Sequence, residues 1–308
     1  MKIQNKNIKK LSIYLLLITS LLAACQPQAQ QNTPPQSPTS VTVSILPQVY
    51  FVERISGGTI PVNVMVGPGE EAHTYEPKPE QMRALAESGV FFTMGLEYET
   101  VWVPRFEDIN PNLEIIDLAK GIQRIPLSSD HTHHDEEESH EEESEENLDP
   151  HIWLSPENGK IIAENTLLAL SDLVPGSADI FQGNYEALIT DIENVDRRIS
   201  DTLKSFDQRK FMVFHPAWGY FAEYYNLEQL PVQIGGQDPS ASELASLVEI
   251  AQEEKIKVIF IQPTFNTASA EAIAQEIGAE VAIVDPLAQD WLSNLESAAE
   301  AFASALNK

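Results

Sequence analysis

Seven histidines occur in this chain, and their placement is its most chemical feature. Four of them, His131, His133, His134 and His140, stand in one acidic run. The other three stand at turn-rich junctions: Gly67-Pro-Gly-Glu-Glu-Ala-His73, Asp149-Pro-His151 and Phe214-His-Pro216. One such histidine by itself more often serves packing than chemistry. Three at loop positions, with none spent elsewhere outside the run, point to a shared ligand set. Asp285 has the same kind of position, since it follows the apolar stretch 281–284 and precedes Pro286. Three imidazoles and one carboxylate suit tetrahedral Zn²⁺. Imidazole also favours zinc over manganese, which prefers harder oxygen ligands. Trp153 and Trp218 lie two and three residues from His151 and His215. They either line the site or are core aromatics. Asp149 either orients a ligand as a hydrogen-bond acceptor or caps a turn.

Residues of this kind need a rigid frame, and the rest of the chain reads as one. Short β-branched or aromatic runs occupy 41–46, 62–66, 90–94 and 113–116, and recur at 211–214, 229–234, 258–261 and 281–284. Segments of helical periodicity lie between them, at 79–88, 241–254 and 267–277. Strand and helix in alternation predict an α/β fold with a parallel sheet in each of two similar lobes. Between the halves, apolar residues fall at Phe181, Tyr185, Leu188, Ile192, Val195, Ile199 and Leu203. Steps of three and four predict one long rigid amphipathic helix, the alternative being two shorter helices with a break. Ligands bind beyond the carboxyl ends of the strands in such sheets, which puts the metal site in the cleft between the lobes.

Composition fixes the surroundings. Net charge is −28, so nucleic acid is excluded as a natural partner and cations are favoured. Much of the excess lies in 130–149, where 11 of 20 residues are Asp or Glu. That run reads as a solvated loop that binds divalent metals weakly through its histidines. Lys2, Lys6, Lys9 and Lys10 precede an apolar stretch, 11–24, too short to span a bilayer but suited to a signal peptide. It ends in Leu22-Ala23-Ala24-Cys25. The motif resembles a bacterial lipobox, which implies lipidation of Cys25 and cleavage before it; a buried free thiol is the alternative. Cys25 is the only cysteine, so a disulfide framework and a Cys metal site are both excluded. The expected organisation is a lipoprotein signal peptide (1–24), a lipid-anchored flexible linker (25–40), a first lobe (41–175), a linking helix (176–208) and a second lobe (209–308).

Four motifs carry a resemblance to a known family. His73-Thr-Tyr-Glu-Pro-Lys-Pro79, Asp149-Pro-His-Ile-Trp-Leu-Ser-Pro156, Val213-Phe-His-Pro-Ala-Trp-Gly-Tyr-Phe221 and Asp285-Pro-Leu287 resemble the four ligand motifs of cluster A-I solute-binding proteins of ABC transporters. The resemblance runs from about residue 41 to the C-terminus. It implies two α/β lobes on a backbone helix, with His73, His151, His215 and Asp285 holding the metal. A histidine at the third position resembles the zinc-type, ZnuA-like branch, since manganese-type members usually carry Glu there. The acidic His-containing loop is a further mark of that branch, although here it holds more Glu than His. The expected role is that of an extracytoplasmic lipoprotein, monomeric, which binds Zn²⁺ and delivers it to an ABC permease and its ATPase. A manganese or iron protein of the same fold is the runner-up, and a zinc-dependent hydrolase is a weaker one. For the hydrolase, His140-Glu-Glu-Glu-Ser144 supplies only the first half of a His-Glu-x-x-His motif.

Overall fold

The computed structural model describes residues 40–127, 148–233, 239–264 and 267–307. The leader, Cys25, nearly all of the linker and the four histidines of the acidic run lie outside them.

Two four-stranded sheets organise the described residues. The first contains β1 (Ser40–Ile45), β2 (Val62–Val66), β3 (Ser88–Thr93) and β4 (Glu114–Asp117), in the order β2-β1-β3-β4. The second contains β5 (Lys210–Val213), β6 (Glu228–Pro231), β7 (Val258–Ile261) and β8 (Glu280–Ile283), in the order β6-β5-β7-β8. Every pairing is parallel, and the two orders are the same. The helices of the first lobe are α1 (Leu46–Ser56), α2 (Pro79–Ala86), α3 (Glu97–Ile109) and α4 (Pro156–Leu173). The linking helix is α5 (Ala178–Leu203), and α6 (Gly219–Tyr224), α7 (Ala241–Glu253), α8 (Thr267–Ile277) and α9 (Trp291–Leu306) follow. Among the described residues no helix is long and apolar enough to cross a membrane.

Burial on both faces explains why β7, Val258-Ile-Phe-Ile261, reads as an apolar run, whereas β1, Ser40-Val-Thr-Val-Ser-Ile45, alternates and hydrogen-bonds its buried hydroxyls. Val41 to Ile45 of β1 and all four residues of β7 are buried. Successive side chains still point to opposite faces, and this divides the second lobe. Phe211 and Val213 of β5, with Phe260 of β7, join a core that is continuous with the first lobe. Met212, Phe214, Ile259 and Ile261 pack instead into a separate core with Leu247 of α7 and Ile273 of α8. The larger core passes from sheet to sheet under α5, whose Phe181, Leu188, Ile192, Val195, Ile199 and Leu203 are buried. At 26 unbroken residues α5 is about 39 Å long, a single strut rather than two helices. Arg54–Asp191 (2.6 Å) ties α1 to it, and Arg198–Glu296 ties α9. These exposed pairs are screened by solvent and add little, so apolar packing holds the strut.

The entry into α3 is organised by a buried acid. Glu99 accepts from the backbone N–H groups of Met94, Gly95 and Leu96 and from the Ser44 hydroxyl. Those donors favour the charged form, but burial outweighs them and lifts the carboxyl to about 7. Since the folded value lies above the unfolded one, the folded chain holds this proton more tightly. The resulting stabilisation is complete below about pH 4 and is lost as pH rises through about 7. Wild type minus Glu99→Gln, measured by denaturant unfolding of metal-free protein, is expected to fall by about 2–3 kcal/mol between pH 5 and pH 8. A difference that is flat with pH would show that Glu99 is ionised throughout.

Candidate metal centre

The three lone histidines come together. His73 lies on the segment after β2, His151 between β4 and α4, and His215 two residues beyond the end of β5. His73 Nε2 is 3.1 Å from His215 Nε2, which is 3.3 Å from His151 Nε2. Among the described residues this is the group of ligand-type side chains that converges, with all its ligand atoms within 4.8 Å of one another. Two atoms bound to one tetrahedral zinc at 2.0–2.1 Å would be about 3.3–3.4 Å apart. The observed edges therefore have the size that a zinc ion requires.

The opposite ring nitrogens explain why the Nε2 atoms face one another. His151 Nδ1–H donates to Asp149 Oδ1 (2.8 Å), His73 Nδ1–H to Glu97 Oε2 (3.0 Å) and His215 Nδ1–H to Gln233 Oε1 (3.0 Å). With each proton on Nδ1, each Nε2 presents a lone pair to the same point. Three converging lone pairs repel unless a cation or a proton lies among them. His151 and His215 are buried, and His73 is partly exposed. Burial, and then the neighbouring His151 and His73, hold His215 well below the usual imidazole range. Burial also acts to lower His73, but Glu97, with Glu71 and Asp149 further off, outweighs it and raises the ring. Burial would raise Glu97 in turn, and its bond to His73 reverses this, leaving it below the usual carboxylate range.

Asp149 is completely buried. Its Oδ1 also accepts from the His151 backbone N–H (2.9 Å), and its Oδ2 has no hydrogen-bond partner among the described residues. An orphaned carboxylate oxygen behind an imidazole fits a site that receives a cation. The segment is clamped from the second lobe, where the Tyr220 hydroxyl donates to the Asp149 carbonyl (3.0 Å). Gly219 lies so close to Asp149 Oδ2 that a side chain there would collide with it.

Asp285 stands outside the three-histidine group. It lies two residues after β8, and its Oδ1 accepts from Leu287 N (2.9 Å), which shapes the turn. The cavity beside the histidines is lined by Glu71, Trp153, Gln262 and Leu287, among others. Of the two tryptophans, Trp153 lines this cavity, with its ring centre 5.4 Å from that of His151. Trp218 packs in the core against Phe221 and Phe302. Sequence reading did not find Glu71, Glu97 or Gln233. Glu71 was visible in the motif that precedes His73, whereas the other two lie 24 and 18 residues from the rings they hold.

Comparisons with known proteins show which family the chain resembles. The chain is 28% identical over 289 residues to the zinc-binding lipoprotein AdcA of Streptococcus pneumoniae (strain ATCC BAA-255 / R6), which covers 91% of this chain and 56% of that protein. The chain thus spans about half the length of the curated relatives it matches first. It is 26% identical over 251 residues to the high-affinity zinc uptake system protein ZnuA of Bacillus subtilis (strain 168), covering 80% of this chain and 78% of that one. A crystal structure of a ZnuA superposes with a TM-score of 0.80 at 39% identity, over 87% of this chain and 99% of that one. The family model for the periplasmic component A of the zinc-uptake complex (ZnuA) matches residues 41–305, and this chain belongs to that family.

Proposed function

We propose that this protein captures Zn²⁺ outside the cytoplasm and delivers it to an ABC permease driven by its ATPase. One observation carries the reading: His215 Nε2 lies at zinc-sized separations from both His73 Nε2 and His151 Nε2, while each Nδ1 is held from behind. The names of the relatives, a zinc-binding lipoprotein and a zinc uptake protein, support it. His73, His151 and His215 hold the ion. The fourth position falls to Asp285 if the turn after β8 moves inward, or to Glu71, which already lines the cavity. On this reading residues 1–24 are removed, Cys25 carries the lipid, and 25–40 tether a monomer of two lobes, 41–175 and 209–308, joined by 176–208. His131, His133, His134 and His140 collect zinc weakly in the acidic run.

The donor set weighs against the manganese or iron reading, because three imidazoles are softer than those ions prefer. A hydrolase would need three protein ligands and an open position for water. The place of Asp285 outside the group favours that reading, and the mark of it would be esterase activity in the zinc-loaded protein.

Calorimetry on chelator-stripped protein tests the proposal. One tight Zn²⁺ equivalent is expected, not displaced by a tenfold excess of Mn²⁺. Asp285→Ala is expected to weaken that equivalent by about two orders of magnitude where Asp285 fills the fourth position, and to leave it within about tenfold where Glu71 does. Tighter binding of Mn²⁺ than of Zn²⁺ would overturn the assignment.

A further inference from the structure

The three groups that hold the ligand rings are not alike. Asp149 and Glu97 are carboxylates, whereas Gln233, two residues past the end of β6, is a neutral amide. Their settings differ as well. The Glu97 side chain is 58% exposed, so water competes for its bond to His73. Gln233 is buried at 5% exposure and His215 at 7%, so their 3.0 Å bond lies where water does not reach. A hydrogen bond of that kind is stronger electrostatically and more costly to lose. A carboxylate behind a ligand imidazole raises its basicity and its donor strength, and a neutral amide does so less.

We propose that Gln233 is a positioning residue that fixes His215 with its proton on Nδ1 and, by being neutral, keeps the site's affinity below what a third carboxylate would give. The inference rests on the reading of the three histidines as the metal site. Such a device suits a carrier that must release its ion as well as hold it. It also makes Gln233 matter more than Glu97, although both bonds have the same length, because only one of them is dry.

Zn²⁺ competition titrations on the full mature chain decide it, with Gln233→Leu, Gln233→Glu, Glu97→Gln and His215→Ala measured together. Gln233→Leu keeps the bulk and removes the acceptor. Its affinity is expected to fall by about 10–100-fold, the effect of losing such a partner. Gln233→Glu is expected to tighten binding by about tenfold. Its metal-free form should melt lower, since a buried carboxylate is introduced, and zinc should then raise the melting temperature by more than in wild type. Glu97→Gln, which retains an acceptor on an exposed bond, is expected to weaken binding by less than Gln233→Leu does.

A role in packing alone would lower the metal-free melting temperature and leave affinity unchanged. The effect of Gln233→Leu should also vanish in the His215→Ala background if it acts through that ring. Retained affinity in Gln233→Leu, or an equal loss in both backgrounds, overturns the proposal while the zinc reading stands. Retained tight binding in His215→Ala overturns the zinc reading itself.

Discussion

Replacing His215 by alanine is expected to weaken zinc binding by about two to three orders of magnitude. The size of the effect follows from the ion's own energetics. Four-ligand zinc sites bind with an apparent 10–16 kcal/mol, or roughly 3–4 kcal/mol per ligand, and each 1.4 kcal/mol is a factor of ten. Of the three histidines His215 is the one to remove. Its Nε2 is the shared vertex, 3.1 Å from that of His73 and 3.3 Å from that of His151. Its depressed pKa leaves it neutral at pH 7, so it meets the metal without having to lose a proton. In the metal-free protein the substitution relieves lone-pair repulsion within the group but removes the donor from the buried Gln233 Oε1, a loss of about 1–3 kcal/mol. The two effects separate cleanly in a melting experiment. The stripped variant should melt somewhat below stripped wild type, and the zinc-induced rise should nearly disappear in the variant. Affinity within threefold of wild type would remove His215 from the ligand set.

What could be read from the sequence, and what could not, follows the distance along the chain over which each feature is built. The strand at 258–261 was legible because burial makes it an unbroken apolar run, and the one at 62–66 because β-branched residues dominate it around Asn63; the two coincide with β7 and β2. The strut was legible because its apolar stripe, Phe181 to Leu203, repeats over about six turns. By contrast α1 begins directly at the end of β1, with no turn residue between them, and Leu46 read as strand. Helix α3 holds Pro104 and exposes Val101 and Ile109, so its periodicity is blurred.

The site divides in the same way. His73, His151 and His215 stood out because each follows a local junction signal, and Asp149 because it lies two residues from His151. Glu97 and Gln233 reach their partners only through the packing of α3 and β6, and no pattern along the chain announces such a contact. The sequence placed Asp285 at the right end of the right strand. It carried no information on where the carboxylate points, and the turn has drawn Oδ1 onto Leu287 N.

Trp291→Ala is expected to destabilise the protein by about 3–5 kcal/mol, the cost of removing a large ring from a core that cannot collapse around the gap. Trp291 heads α9 and is 1% exposed. Its ring lies 4.7 Å from that of Phe51 on α1 and packs so closely on Gly159 of α4 that a side chain at 159 would overlap it. Its Nε1–H donates to the Trp153 carbonyl (2.6 Å), and Trp153 in turn donates to the Pro286 carbonyl (2.7 Å). One indole thus joins both lobes and reaches, through a second, the turn beside Asp285 and the segment that carries His151. For a chain of this size each kcal/mol moves the midpoint by about 2–4 °C, so the metal-free variant should melt roughly 10 °C lower. Trp291→Phe separates packing from the hydrogen bond. It retains most of the ring but leaves the Trp153 carbonyl without its donor, a loss of about 1–3 kcal/mol. If the indole also fixes the site, Trp291→Phe should weaken zinc binding several-fold while unfolding remains cooperative. Unchanged affinity in that variant would mean that the two tryptophans brace the lobes without setting the position of His151.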